Sequence, residues 1–129
     1  MPRKLIQTSD APGSALYSQG VIAGNHVYVS GMVGIDPATG HLAGSHIADQ
    51  TRQALANCMA VLASGGASTE DIVEVGVLLA KPADFAGFNE EWARWFADAP
   101  PARYVAKLGV DLPGVLVSIR MTAYVAGRE

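Results

Sequence analysis

From Val115 to Val125 the chain alternates strictly. Val115, Val117, Ile119, Met121, Ala123 and Val125 are apolar, and between them stand Leu116, Ser118, Arg120, Thr122 and Tyr124. Successive side chains of a strand point to opposite faces, so this segment is a strand with one apolar face and one largely polar face, Leu116 being the exception. The apolar face needs a covering layer, and two helical patterns supply it. One runs from Ser45, a possible N-cap, to about Ser64, with Ile47, Thr51, Ala54, Leu55, Cys58 and Leu62 as its stripe and Gly65-Gly66 as its left-handed stop. The other opens at Pro82, carries Phe85, Phe88, Trp92, Trp95 and Phe96 on its apolar side, and ends at Pro100-Pro101.

The remaining segments read as strands. Tyr17–Ile22 and His26–Ser30 form a hairpin through Ala23-Gly24-Asn25, and Asp36–Gly40 is a turn. Ile72–Ala80 is a buried strand, and Arg103–Val110 joins the last strand through Asp111-Leu112-Pro113-Gly114. The order is hairpin, helix, strand, helix, two strands. That predicts an α+β domain with two helices on one face of a mixed sheet. The other face, with Leu116 and Tyr124 among its polar residues, suits a partly apolar interface between copies of the chain.

A chain of 129 residues, half of them apolar, is expected to form a single domain over 1–129. Its net charge of −3 and pI near 5.5 argue against the basic face of a nucleic-acid binder. Cys58 is the one cysteine, so no intramolecular disulfide framework exists, which fits a reducing compartment. The start shows no signal-peptide pattern and no apolar run reaches membrane-spanning length, so a cytoplasmic protein with no membrane partner is expected.

Few residues carry chemistry. His26, His41 and His46 lack zinc-site spacing and read as solvated loop residues; no metal is expected. Cys58 lies on the stripe of the first helix and reads as core, as do the aromatic residues of the second. The glycines form neither a GxGxxG nor a P-loop, and no nucleophile elbow is present. Arg103 stands out. Pro100-Pro101-Ala102 delivers it at a strand head in a defined direction, and its planar guanidinium can grip a carboxylate through two parallel hydrogen bonds. Taken alone, this segment is better read as a surface salt bridge.

Several segments taken together resemble the RidA/YjgF family. They are Tyr17-Ser18-Gln19, the run from Val27-Tyr28-Val29-Ser30-Gly31 through Ile35-Asp36-Pro37-Ala38-Thr39-Gly40, Gln50–Asn57 and Pro101-Ala102-Arg103. Their order and spacing cover about Ala11 to Ala123. The family comprises reactive enamine/imine deaminases, some also described as perchloric-acid-soluble proteins or endoribonucleases. The resemblance implies a chorismate-mutase-like fold assembled as a homotrimeric barrel, with helices outside and sites in the clefts between subunits. It implies that Arg103 binds the carboxylate of a 2-imino acid with help from the Val105 N–H, and that Tyr17, Ser30, Gly31 and Asn89 line the cleft. No cofactor is implied.

The chain departs from the family pattern at four places. Ser118 stands where a glutamate suited to activating water is usual, and Arg120 where a second glutamate is usual. Met32 replaces a glutamine, Tyr104 and Val105 replace small or polar residues, and Leu16 replaces a glycine. Serine can orient a water but is a poor base at neutral pH. Arg120 shares a strand face with Ser118, so it is expected either to join Arg103 in favouring a second anionic group on the substrate or to make a salt bridge between subunits. Three functions follow. The leading one is hydrolysis of 2-imino acids to 2-oxo acids and ammonia, with Arg103 and Ser118 as the catalytic pair. The others are non-catalytic binding of small carboxylates and, least favoured for an acidic chain, ribonuclease activity.

Overall fold

The computed structural model describes residues 2–128. Eight strands and two helices follow in the order β1 (Lys4–Ile6), β2 (Gly20–Ala23), β3 (His26–Val33), β4 (Ile35–Asp36), β5 (His41–Leu42), α1 (Ile47–Ser64), β6 (Ile72–Leu79), α2 (Phe85–Trp95), β7 (Ala102–Lys107) and β8 (Val117–Tyr124). Single 3₁₀ turns, Thr69–Asp71 and Pro82–Asp84, precede β6 and α2. Six strands form one mixed sheet in the order β1-β2-β3-β8-β6-β7, and β4 and β5 make a small separate hairpin. Only β6 and β7 are parallel, joined through α2 as a crossover requires. This is the α+β fold that the alternation and the two helical patterns predict.

The core lies between the sheet and the helices. Val117, Ile119, Met121 and Ala123 of β8, Val75 and Val77 of β6, and Val27 and Val29 of β3 meet Leu55, Cys58, Val61 and Leu62 of α1 and Phe88 and Trp92 of α2. The opposite face of the sheet carries Leu5, Tyr28, Tyr104 and Tyr124, all exposed. Arg120 of β8 pairs there with Glu74 of β6 at 3.8 Å. Burial pushes the Cys58 thiol well above its ordinary range, because the thiolate would lose all hydration.

Three buried amides hold irregular backbone that the ladders leave open. Gln19 Nε2 donates to the carbonyls of Thr8, Ala11 and Pro12 at 2.9–3.0 Å, while its Oε1 accepts from the Thr8 N–H at 2.7 Å. Gln50 Nε2 donates to the Gly44 and Gly114 carbonyls, and its Oε1 accepts from Leu116 N–H. Asn57 Nδ2 donates to the carbonyls of Val33 and Ile35. Each satisfies peptide groups that would otherwise be stranded beside the core.

Several boundaries differ from expectation. β2 begins at Gly20, and Tyr17–Gln19 is irregular because the Gln19 side chain gathers the segment before it. β1 was not expected. α1 starts at Ile47 with His46, not Ser45, at the cap, and no side chain caps its first turn. The predicted stop holds, with Gly66 at φ +81°. β7 ends at Lys107, where β6 runs out. His26 lies in β3 and His41 in β5, so neither is a loop residue, and His26 packs on Tyr28 and Tyr124.

Candidate active site

Arg103 sits on the edge strand β7 and faces the helix layer. Its Cα pairs with Val75, one of the buried β6 residues on that side. The side chain runs under α2, where Nη1 donates to Asn89 Oδ1 at 2.9 Å. The guanidinium carbon lies 5.0 Å from the Trp92 ring centroid and 5.5 Å from that of Phe88. Phe88, Asn89 and Trp92 fall within one turn and present one side of α2 to the strand. Two aromatic faces and a neutral amide therefore fix the cation in direction, each stacking contact contributing about 1 kcal/mol where water is partly excluded.

The charge of Arg103 is left uncompensated. Arg52 sits 3.5 Å from both Asp49 and Glu91, and Arg120 faces Glu74. Among the described residues no carboxylate lies within ion-pairing distance of Arg103. A half-buried, oriented guanidinium with unused N–H groups has the donors to accept an incoming anion.

The backbone adds a second donor. Leu108 N–H donates to the Leu79 carbonyl at 2.8 Å. With the two-residue alternation of a ladder, the N–H groups of Tyr104 and Ala106 turn toward β6 and that of Val105 turns to the open edge. Val105 lies on the same side of β7 as Arg103, two residues on. Arg103 and Asn89 are thus in contact, and the outward Val105 N–H lies two residues along the same edge strand.

The other predicted residues form a second cluster. Ser30 Oγ donates to the Ser18 carbonyl at 2.5 Å, and Ser30 N–H to the Gln19 carbonyl at 2.9 Å, tying β3 to the segment that carries exposed Tyr17. Gly31 lies where β3 bulges against β8, and a Cβ on it would meet Ser118 Oγ at 3.0 Å. Tyr17, Ser30, Gly31 and Ser118 therefore share a neighbourhood.

One chain does not bring the two clusters together. Arg103 faces the helices, whereas Ser118 and Arg120 face the other side of the sheet, with β6 between β8 and β7. Arg120 shares the Ser118 face as expected, but it lies on the opposite side of the sheet from Arg103 and pairs within its own chain.

Sequence reasoning had assigned Phe88 and Trp92 to packing alone. They pack and also seat Arg103, and their phase with Asn89 on one helix face was the available signal. Among the described residues no group of three His, Cys, Asp or Glu side chains gathers as a metal site, and no helix is long and apolar enough to cross a membrane.

Residues 8–125 match the family described as Endoribonuclease L-PSP. A RutC family protein of Pyrococcus horikoshii is 38% identical over 95% of this chain and 98% of its own. The human 2-iminobutanoate/2-iminopropanoate deaminase is 34% identical over 94% of this chain and 89% of its own. The crystal structure of Escherichia coli TdcF with bound serine superposes with a TM-score of 0.89 at 31% identity, covering 95% of this chain and 99% of that one.

Proposed function

The chain belongs to the endoribonuclease L-PSP family, the RidA/YjgF proteins, and on that premise we propose that it hydrolyses 2-imino acids to 2-oxo acids and ammonia. The observation that carries the reading is Arg103, oriented by Asn89, Phe88 and Trp92 and left without a carboxylate partner. The substrate carboxylate takes two guanidinium N–H groups and the outward Val105 N–H. Its C2 is thereby held at the edge of β7, where the protonated C=N is already electrophilic. Water adds to C2, one of its protons passes to nitrogen, and the C–N bond breaks to release ammonia as the remaining hydroxyl proton is given up to solvent, leaving the C2 carbonyl. The protein's part is to orient the substrate, hold the water and relay the proton.

Ser118 and the backbone around Gly31 suit the task of holding a water. Because the two clusters lie on opposite sides of one sheet, the complete site forms between copies, with Arg103 of one facing Tyr17, Ser30, Gly31 and Ser118 of the next. A homotrimer closed around the exposed sheet face meets this need. The bound serine of the E. coli relative, an amino acid, carries the carboxylate that the proposed role of Arg103 requires of a ligand.

Ser118 also favours a second reading, in which the same site binds small carboxylates without turning them over. The two are separated by following hydrolysis of 2-iminopropanoate, generated in situ, by wild type and Arg103→Ala. Deamination by wild type that falls about 100-fold in the variant supports the enzyme. A folded wild type that binds pyruvate but leaves the imine to its uncatalysed decay supports the binder.

A further inference from the structure

One helical turn from the Arg103–Asn89 pair lies a cavity of about 390 Å³ lined by Leu79, Pro82, Phe85, Val105, Ala106 and Lys107. Phe85 and Asn89 are four residues apart on α2, so both overhang β7 on one stripe of the helix. Arg103, Val105 and Lys107 lie on the matching side of the strand. The groove between α2 and β7 therefore has a cation with a backbone donor at one end and an apolar recess at the other, with Val105 belonging to both. Five of the six lining residues are apolar, and Lys107 is exposed at the mouth. Phe85 is 45% exposed, an unusual position for a large aromatic beside an apolar core.

We propose that this recess takes the substrate side chain and selects 2-imino acids with a large apolar group, branched aliphatic or aromatic, over the imine of alanine. The inference rests on the carboxylate role of Arg103 and deepens it. A carboxylate held by Arg103 and the Val105 N–H puts C2 beside Val105, and a side chain of four or more carbons leaving C2 along the groove reaches Phe85. A methyl group does not. Charge complementarity fixes the direction: the acid head goes to the guanidinium and the apolar tail to Phe85.

Binding decides the matter without requiring turnover. Isothermal titration of the full-length oligomer with pyruvate and with 4-methyl-2-oxopentanoate, the two product acids, is expected to show the branched acid at least about tenfold tighter. In Phe85→Ala, a change at an exposed side chain, the preference is expected to shrink to within about twofold, with pyruvate affinity unchanged. Equal affinities in wild type, or a preference that survives in Phe85→Ala, overturns the recess as a side-chain site while leaving the carboxylate reading standing. Failure of both acids to bind overturns the two together. A changed oligomeric state of Phe85→Ala with the acid preference intact assigns the recess to a neighbouring copy and overturns the proposal. Parallel rates with the two corresponding imines then read the same preference in kcat/KM.

Discussion

The guanidinium of Arg103 differs from those of Arg52 and Arg120 in what its surroundings leave unmet. A neutral amide and two ring faces define its direction without neutralising it, so its geometry is set before any anion arrives. Lysine in its place keeps the charge but loses the planar fork and the stacking. Arg103→Lys is therefore expected to weaken pyruvate binding by about tenfold or more, measured by titration, with a melting temperature lowered by only a few degrees for the lost stacking. Ser118 poses the opposite question. Ser118→Glu restores a base beside Gly31, where the missing Cβ leaves room, and is expected to raise kcat for imine hydrolysis by about 100-fold. A rate unchanged by that substitution would show that proton transfer does not limit turnover. Cys58 is sealed under α1 with its thiolate disfavoured. Iodoacetamide is expected to leave it unmodified in the native protein over hours at pH 8 and to alkylate it within minutes in denaturant, as read by mass spectrometry.

At the scale of elements, the segment from Thr8 to Gln19 has no ladder of its own and depends on one side chain. Gln19→Leu removes the acceptor for Thr8 N–H and the donors to three carbonyls, at a cost of about 1–3 kcal/mol. The expected result is a lower urea midpoint together with faster proteolysis between residues 8 and 18. That segment also marks where sequence reading stopped. The helices and β8 were legible because burial imposes a period on their own residues, β6 from its run of β-branched and aliphatic residues, and the β2–β3 hairpin at Gly24-Asn25 from its turn chemistry. β1 was not, since three residues carry no period and its pairing to β2 is a tertiary event. Tyr17–Gln19 reads locally as extended, and nothing local reveals that Gln19 turns inward to bind the backbone 7 to 11 residues earlier. For the site, Arg103 was legible from the rigid prolines before it. Its seat on Trp92 and Phe88, and its separation from Ser118 by the thickness of the sheet, are facts of packing that spacing does not encode.

At the scale of the whole molecule, one face of the sheet is closed by α1 and α2 and the other presents Leu5, Tyr28, Tyr104 and Tyr124 around the Arg120–Glu74 pair. Tyr104 lies flat over Gly76, whose absent Cβ would otherwise strike the phenol oxygen, so the ring forms part of that surface. Such a patch on a small domain suits the interface between copies proposed above. In the assembled reading each site takes Arg103 from one copy and Gly31 from the next. Arg103→Ala and Gly31→Trp, each inactive alone, are then expected to recover about a quarter of wild-type activity when unfolded together and refolded as mixed trimers. No recovery in mixed oligomers would place both halves in a single copy. The two-sided sheet has one further effect. On the function proposed above, a newly made chain would carry half a site on each flank and turn over nothing by itself, so the appearance of activity in a cell would report that assembly has finished.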